Sequence, residues 1–362
     1  MIERGLPEAS FPGRLLARIL QARDMSASEL ARRCGRSPKL MTEIISGRAP
    51  IEPDTALQLE RVLGHEAGRW LALEACYRLG LAEQAERSRM GENAEWAARF
   101  PLGEMRRRGL LPEGTSPAAA VPHLLRLFGA GTVEACQARF AELLAGSYRH
   151  SPSFKSADGA LLVWLRLGER AAEALEMGDY DRRRFVEALQ SARTLTGLPL
   201  EEFLPLLREL CAVAGVAFVI EAPLKGVALS GVSRWLTPRR ALIQQTLRHR
   251  TDDHFWFTFF HEAAHLLLHS RRMVFLDGQS ELTTGSEEDE REANAWAGGF
   301  LVPPAAMHAF VERADFRAAA VAAFADTVGV SPGIVVGQLQ KAGVLAYGSG
   351  LNSLKRRLDL PA

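Results

Sequence analysis

The sequence has few cysteines, almost no net charge and no long apolar run, and each absence excludes a class of protein. Its four cysteines are far apart and match no metal-binding or redox spacing, which indicates buried thiols in a reducing compartment. With 44 basic and 43 acidic residues, the chain as a whole shows no attraction to nucleic acid or membranes. It has no stretch of about 18 apolar residues, and its first residues lack the apolar core of a signal peptide. We therefore expect a cytoplasmic protein with no membrane contact.

Residue patterns divide the chain into regions and predict a mainly α-helical protein with one small β-sheet, an α+β fold. We expect a helical DNA-binding domain at residues 1–84, a helical linker at 85–160, a larger domain at 161–345 and a C-terminal tail at 346–362. The only strand-like segments lie in the larger domain and read VAFVIE, GVALSGVSRWL and RALIQQTL. We predict the last of these as an edge strand beside a cleft.

The most apolar stretch of the chain contains three ionisable residues within five positions. It reads DDHFWFTFFHEAAHLLLH, in which His261, Glu262 and His265 form the pattern H-E-x-x-H. On a helix capped by Asp252 or Asp253, residues four apart share a face, so both imidazoles can bind one Zn²⁺ ion. Glu262 lies about 100° round the helix, where it can take a proton from zinc-bound water. Because unpartnered buried charges are costly, the pattern predicts a zinc hydrolase rather than ordinary core histidines.

A hydrolytic zinc site needs a third protein ligand, and the residue pattern does not identify it. The acidic segment SEEDEREANAWAGGFLVPP follows the motif and predicts a helix with an apolar stripe. Asp289 points most nearly along that stripe, and Glu292 lies at its margin. His269, four residues after His265, is another candidate, although a straight helix cannot easily place three successive turns round one ion. On pattern alone these residues remain alternatives.

The zinc-helix motif, the segment EREANAWAGGFLVP and the segment VGVSPGIVVGQLQKAGVL together resemble the ImmA/IrrE family of bacterial metallopeptidases. The resemblance covers roughly residues 160–345 and implies a thermolysin-like zincin fold with Zn²⁺ as its cofactor. In that family an acidic ligand stands immediately before an Ala-Asn pair, which selects Glu292 as the ligand beside His261 and His265. Glu262 then becomes the general base. The resemblance also implies a protein substrate, a repressor or antitoxin that is often encoded beside the peptidase.

The N-terminal third follows the residue pattern of a helix-turn-helix. In the segment MSASELARRCGRSPKLMTEIISGRA, Ser26 can cap a first helix and form a capping box with Glu29. Gly35 supports the turn, and Pro38 takes the first position of a second helix. Outward-facing residues in and just after this second helix would contact base edges and phosphates. They are Ser37, Lys39, Thr42, Glu43, Ser46 and Arg48.

Residues 12–79 resemble the HigA-type antitoxin branch of the Xre-like helix-turn-helix family. The segments PGRLLARIL, PDTALQLERVLG and RWLALEACYRL carry this resemblance, which implies DNA as a partner. Basic residues only slightly outnumber acidic ones in this part of the chain. Because phosphate neutralisation would therefore be modest, we expect a homodimer to be needed for useful affinity.

Two functions are compatible with this combination of motifs. The first is a zinc-dependent regulatory endopeptidase, fused to a DNA-binding domain, that cleaves a repressor or antitoxin in a stress, mobile-element or toxin–antitoxin response. The alternative is a HigA/Xre-type transcriptional regulator, an antitoxin, whose zinc domain senses or binds rather than cleaves. Glu262 favours the enzyme, because a purely structural zinc site has no use for a glutamate beside its ligands. No cofactor other than Zn²⁺ is expected.

Overall fold

The computed structural model describes four ranges of the chain: residues 11–144, 156–269, 275–278 and 287–359. They form two compact units, divided in sequence between Ala94 and Glu95. Parts of the predicted domains lie outside the described residues, namely 1–10, 145–155, 270–274, 279–286 and 360–362. No single helix within the described ranges has the length and apolarity to cross a membrane, although one helix pair, bent by 106°, meets that test jointly.

The first unit consists of five helices round one apolar core: α1 Pro12–Ala22, α2 Ala27–Cys34, α3 Pro38–Ile45, α4 Pro53–Leu63 and α5 Ala67–Glu92. Both predicted helix caps are present, because the hydroxyls of Ser26 and Ser37 each accept a bond from a backbone N–H three residues on (3.1 and 3.2 Å). The Glu29 carboxylate binds Arg33 (2.6 Å) rather than the backbone group that a capping box requires. Gly35 ends α2 in the left-handed conformation, with φ of 64°.

Helix α3, the second helix of the motif, is held at its C-terminal end by α1 and α5. A Cβ atom at Gly13 would collide with the carbonyl oxygen of Ile44, so α1 approaches α3 at backbone distance. From α5, Arg78 donates to the Gly47 carbonyl oxygen (3.3 Å), while its Nε pairs with the buried Glu74 (2.7 Å). These contacts fix the orientation of α3 within the first unit.

From Ala94 onward, the described residues form twelve further α-helices and two short 3₁₀ turns. The predicted end of the first domain, residue 84, lies inside α5, which continues to Glu92. The further helices are α6 Ala94–Ala97, α7 Leu102–Arg107, α8 Pro117–Phe128, α9 Val133–Leu144, α10 Ser156–Glu173, α11 Arg182–Thr194, α12 Leu200–Val213, α13 Asp252–Leu268, α14 Glu287–Leu301, α15 Pro304–Glu312, α16 Ala318–Val328 and α17 Pro332–Lys341. The 3₁₀ turns are Leu195–Gly197 and Gly350–Leu354.

The second unit also contains a four-stranded sheet in the order β1–β3–β2–β4, with β1 Val216–Ile220, β2 Leu229–Thr237, β3 Arg240–Gln245 and β4 Phe275–Gly278. Strand β3 runs parallel to β1 and antiparallel to β2, which pairs antiparallel with β4. The three strands predicted from the sequence are confirmed, as is the mainly α-helical fold class. The edge position predicted for β3 is wrong, because β1 and β2 pair with its two sides. Strand β4 was not predicted.

Helices α10 and α13 cover opposite faces of this sheet. Successive side chains of a strand point to opposite faces, and in β3 the buried Ile243 belongs to the same core as Phe259 of α13. The next residue, Gln244, donates to the Trp164 carbonyl oxygen of α10 (2.7 Å). Gly168 lets α10 pass directly over Gln244, since a Cβ atom there would collide with its amide group. Helix α13 therefore lies between the sheet and the helices that follow it.

Helix α13 begins with two buried aspartates. Thr251 is the N-cap residue, and Asp252 and Asp253 occupy the first turn, so the prediction that one of them caps the helix is wrong by a position or two. Carboxylates are favourable in a first turn because the helix dipole is positive there. Burial nevertheless raises the pKa of Asp252, and hydrogen bonds from Ser331 and from the Arg356 backbone act in the opposite direction.

Residues 346–359, which the sequence suggested as part of a tail, bind the start of α13, and we call them the C-terminal strap. Lys355 Nζ lies 2.6 Å from the Asp253 carboxylate, and the Arg356 N–H donates to Asp252 (2.9 Å). Leu358 of the strap is buried in the main core of the second unit. The strap is therefore an integral part of the fold that positions α13.

Candidate metal centre and nucleic-acid interface

His261 and His265 lie one turn apart on α13 and direct their Nε2 atoms at each other, 3.0 Å apart. Both residues are buried, with 1% of their surface exposed. Burial, reinforced by the charges of His261 and His269, lowers the pKa of His265 to about 2, so this imidazole is neutral. The neutral form is the one that binds metal ions. The two facing nitrogens can share one proton in a hydrogen bond, and a metal ion between them could instead be bound by both.

The Glu290 carboxylate, from α14, completes a group of three candidate ligands. Its Oε2 lies 3.4 Å from His261 Nε2 and its Oε1 lies 3.4 Å from His265 Nε2. The ligand atoms all lie within 4.8 Å of one another, and the group could hold a metal ion. Two imidazole nitrogens and one carboxylate form a known ligand set of hydrolytic zinc sites, in which a fourth position stays open. The residues present therefore fit the metal that the H-E-x-x-H pattern implies.

The structure does not place Glu292 or Asp289 on the histidine pair, and in this respect the predicted third ligand differs from the observed arrangement. Glu292, with a side chain 57% exposed, lies 3.3 Å from His269 Nε2, and Asp289 lies 3.6 Å from the same nitrogen. Glu290 precedes the buried Ala293 by three positions and so shares its face of α14. Glu292 is the immediate neighbour of Ala293, which turns it about 100° away.

His269 lies behind the histidine pair rather than within the candidate ligand group. As the C-cap residue just after α13, it places its Nδ1 2.9 Å from Nδ1 of His265, the nitrogen opposite the proposed metal-binding one. Its own Nε2 meets the carboxylates of Asp289 and Glu292. A hydrogen bond at the far nitrogen fixes the tautomer and the ring orientation of a metal-binding histidine. We therefore assign His269 a positioning role.

Glu262 lies on the side of α13 that faces strand β2. Its side chain is fully buried, and a Cβ atom at Gly231 of β2 would lie only 2.8 Å from Glu262 Oε1. The strand backbone therefore passes directly against this carboxylate. Gly231 was missed as a site residue in the sequence analysis. The available signal was an isolated glycine inside a strand pattern, which indicates close approach of the backbone to another group.

The residues predicted to contact DNA lie in α3 and at its two ends. Five are exposed and one, Glu43, is partly buried; the six are Ser37, Lys39, Thr42, Glu43, Ser46 and Arg48. The Lys39 ammonium extends into solvent, 3.9 Å from Glu43 at its closest, and its side chain is 84% exposed. Arg48 donates to the Ser46 hydroxyl (3.0 Å). This surface thus presents two cations and several hydroxyls, with one carboxylate among them.

Comparisons with known proteins fit these two parts of the chain. The chain is 37% identical over 81 residues to Virulence-associated protein I of Dichelobacter nodosus, a match that covers 22% of this chain and 75% of that protein. The family model described as "Peptidase_M78: IrrE N-terminal-like domain" matches residues 219–339, which include the candidate metal centre. Residues 219–339 are thereby identified as an M78 domain of the ImmA/IrrE type.

The M78 domain is combined with a helix-turn-helix domain in the N-terminal part of the chain, so the predicted combination of the two domains is confirmed. A solved structure of an addiction module antidote protein of the HigA family from Coxiella burnetii is also similar, at 31% identity. That match covers 23% of this chain and 90% of the other chain, with a TM-score of 0.21.

Proposed function

We propose that this protein is a zinc-dependent regulatory endopeptidase fused to a DNA-binding domain. Its substrate is a transcriptional repressor or antitoxin, cleaved in a stress, mobile-element or toxin–antitoxin response. One observation carries the proposal: the buried imidazoles of His261 and His265 meet the partly buried Glu290 carboxylate, and the buried Glu262 follows the first histidine. Hydrolysis at a metal site uses a general base beside the metal, whereas a purely structural metal site has no use for one.

Each protein group has a defined part in the proposed reaction. His261, His265 and Glu290 hold the zinc ion, which when bound supplies Lewis acidity towards a carbonyl and towards water. Glu262 accepts a proton from the attacking water molecule and delivers it to the leaving amine. The aromatic side chains round α13, such as Phe259 and Phe260, are fully buried and exclude bulk water, which strengthens the electrostatic interactions of the site.

An edge of the sheet offers a way to hold the substrate. Among the described strands, β1 and β4 lie at the two edges, and β4 contacts α13. An extended peptide can add a strand to such an edge through main-chain hydrogen bonds. We propose that the substrate segment pairs with β4, which replaces the sequence-based assignment of this role to β3.

Metal content and cleavage, measured on the same preparations, test the peptidase. Zinc would be quantified by mass spectrometry in the wild type, in Glu262→Gln and in Glu288→Gln, a control at an exposed acid of α14. Cleavage would be followed against the repressor or antitoxin encoded nearest to the gene. We expect one zinc ion per chain in all three proteins. Glu262→Gln should lower the cleavage rate by roughly 10²–10⁴-fold, the usual worth of a general base, and the control should cleave like the wild type.

Other outcomes separate the two candidate functions. Zinc in every protein, with no cleavage by any of them, would favour the alternative, a HigA/Xre-type regulator whose zinc domain senses or binds. No metal in the wild type, even after zinc is added, would refute the hydrolase. Equal cleavage by Glu262→Gln and the wild type would remove Glu262 from the mechanism.

We further propose that the helix-turn-helix domain binds DNA as a homodimer through the exposed surface of α3. The test is fluorescence anisotropy with the promoter fragment of its own gene, and ultracentrifugation would give the oligomeric state. Lys39→Gln and Arg48→Gln should each weaken binding and reduce the salt dependence by about one phosphate contact. Arg87→Gln, at an exposed arginine of α5, is the matched control. Unchanged affinity in both α3 variants would exclude this surface.

A further inference from the structure

Helices α8, α9 and α10 border a cavity of about 270 Å³ that has no part in the proposed peptidase. Its floor includes a side chain of β2, on the sheet face opposite α13. Its walls are largely apolar, with Phe128 from α8, Phe140 from α9 and Leu162 from α10 among them. Sites for drug-sized ligands usually measure about 300–1,000 Å³. An occupant of this cavity would therefore be small.

Arg234, on β2, brings a buried guanidinium to this cavity. The residue is 4% exposed, and its Nη2 donates to the Leu165 carbonyl oxygen (2.6 Å). Its buried Nε has no hydrogen-bond partner among the described residues. Burial lowers the pKa of Arg234 to about 10, Glu169 raises it, and Arg139 and Arg166 lower it further, so the side chain stays charged at neutral pH. A buried charge of this kind is costly without a close counter-ion.

The carboxylate closest to Arg234 among the described residues, that of Glu169, already pairs with two other arginines. Glu169 lies 3.9 Å from Arg234 but 2.7 Å from Arg166 and 3.2 Å from Arg139. Arg166 also binds Glu173, whose side chain is 55% exposed. Among the described residues, three guanidiniums thus share two carboxylates, and the excess positive charge lies at the apolar cavity. An anion in the cavity would neutralise this charge.

We propose that this cavity binds a small organic anion, a carboxylate or phosphate group on a compact apolar body. Arg234 and Arg139 bind the anionic group, because guanidinium forms paired, charge-assisted hydrogen bonds with either chemistry. Phe128 and Phe140 pack against the apolar body. Strand β2, which carries Arg234, also carries Gly231 against the glutamate of the candidate metal centre, so the two sites share one strand.

Calorimetric titration of the full-length protein in a buffer of low ionic strength tests the proposal. Benzoate, hexanoate and phenyl phosphate are the probes, and they separate carboxylate from phosphate recognition. Two control compounds each lack one part of the proposed ligand: benzyl alcohol lacks the charge, and inorganic phosphate lacks the apolar body. We expect at least one organic anion to bind one per chain, and to bind at least about tenfold more tightly than either control compound.

Variants show whether the binding occurs in the cavity. Arg234→Met and Arg139→Gln should each lower the affinity for the anion at least about tenfold. Arg183→Met, at a 90% exposed arginine of α11, should leave that affinity unchanged. If Arg234→Met fails to fold, the affinity of Arg139→Gln tests the proposal instead, because the Arg139 side chain is half exposed and its replacement should not prevent folding. The proposal is wrong if no probe binds more tightly than roughly 10 mM, or if the folded cavity variants bind like the wild type.

Discussion

Replacing Glu290 by glutamine should weaken zinc binding far more than the same replacement at Glu292. Both residues lie on α14, two positions apart, and both precede the Ala-Asn pair closely enough to be candidate ligands. Only Glu290 reaches the histidine pair, at 3.4 Å from each Nε2 atom. Glu292 reaches His269 instead, at 3.3 Å. The two variants are therefore matched in chemistry and differ in position alone.

The expected difference follows from what each carboxylate contacts. Structural zinc sites with four ligands contribute about 10–16 kcal/mol, so one ligand is worth about 3 kcal/mol, or on the order of a hundredfold in affinity. A neutral amide at position 290 should cost about that much. The contact of Glu292 is an exposed ion pair, and such pairs are worth about 0–1 kcal/mol, which corresponds to less than about fivefold.

Competition with a chromophoric zinc chelator would measure both affinities on full-length protein, with circular dichroism as the check on folding. His261→Ala serves as the reference for a lost site. A larger loss in Glu292→Gln than in Glu290→Gln would refute the arrangement of α14 described above. It would restore the ligand that the family resemblance selects. Equal small losses in both would show that neither carboxylate binds the metal.

Three further substitutions test the surroundings of the site. Gly231→Ala, whose Cβ would press on Glu262, should lower the cleavage rate while zinc content, measured by mass spectrometry, stays at one per chain. His269→Ala should lower zinc affinity by about 10–100-fold, as the loss of a partner behind a ligand usually does, in the chelator assay. Lys355→Met leaves the buried Asp253 without its 2.6 Å partner and should cost about 3–5 kcal/mol in urea unfolding; a change below about 1 kcal/mol would show that the strap does not anchor α13.

The histidine pair and Glu262 could be predicted from the sequence because their geometry is local. Residues four apart on one helix meet whatever the rest of the fold does, so His261 and His265 needed only α13 to form. The two helices of the N-terminal motif were predictable for the same reason, since serine caps and a left-handed glycine act within a few residues. The first three strands likewise showed their β-branched and apolar pattern.

The third ligand could not be predicted in this way, because it depends on how α14 is rotated against α13. An acidic turn offers a carboxylate in nearly every direction, and the buried Ala293 and Ala297 fix which direction faces the histidines. Glu290 shares that face, because it precedes Ala293 by three residues and Ala297 by seven. The sequence resemblance instead selected Glu292, which stands directly before the Ala-Asn pair. Strand β4 has only four residues, too few for an alternating pattern to show.

The C-terminal strap shows why a polar sequence near the end of a chain can belong to the site. Helix α13 is buried along most of its length, so its first-turn aspartates need partners that the helix itself cannot supply. Lys355 and the Arg356 backbone supply them from about a hundred residues away in sequence. Strand β2 presses on the same helix at Glu262, and α14 meets it at the histidines. Three separate segments thus determine the position of α13, and a side chain on a helix held in this way stays within the narrow geometry that the proposed catalysis requires.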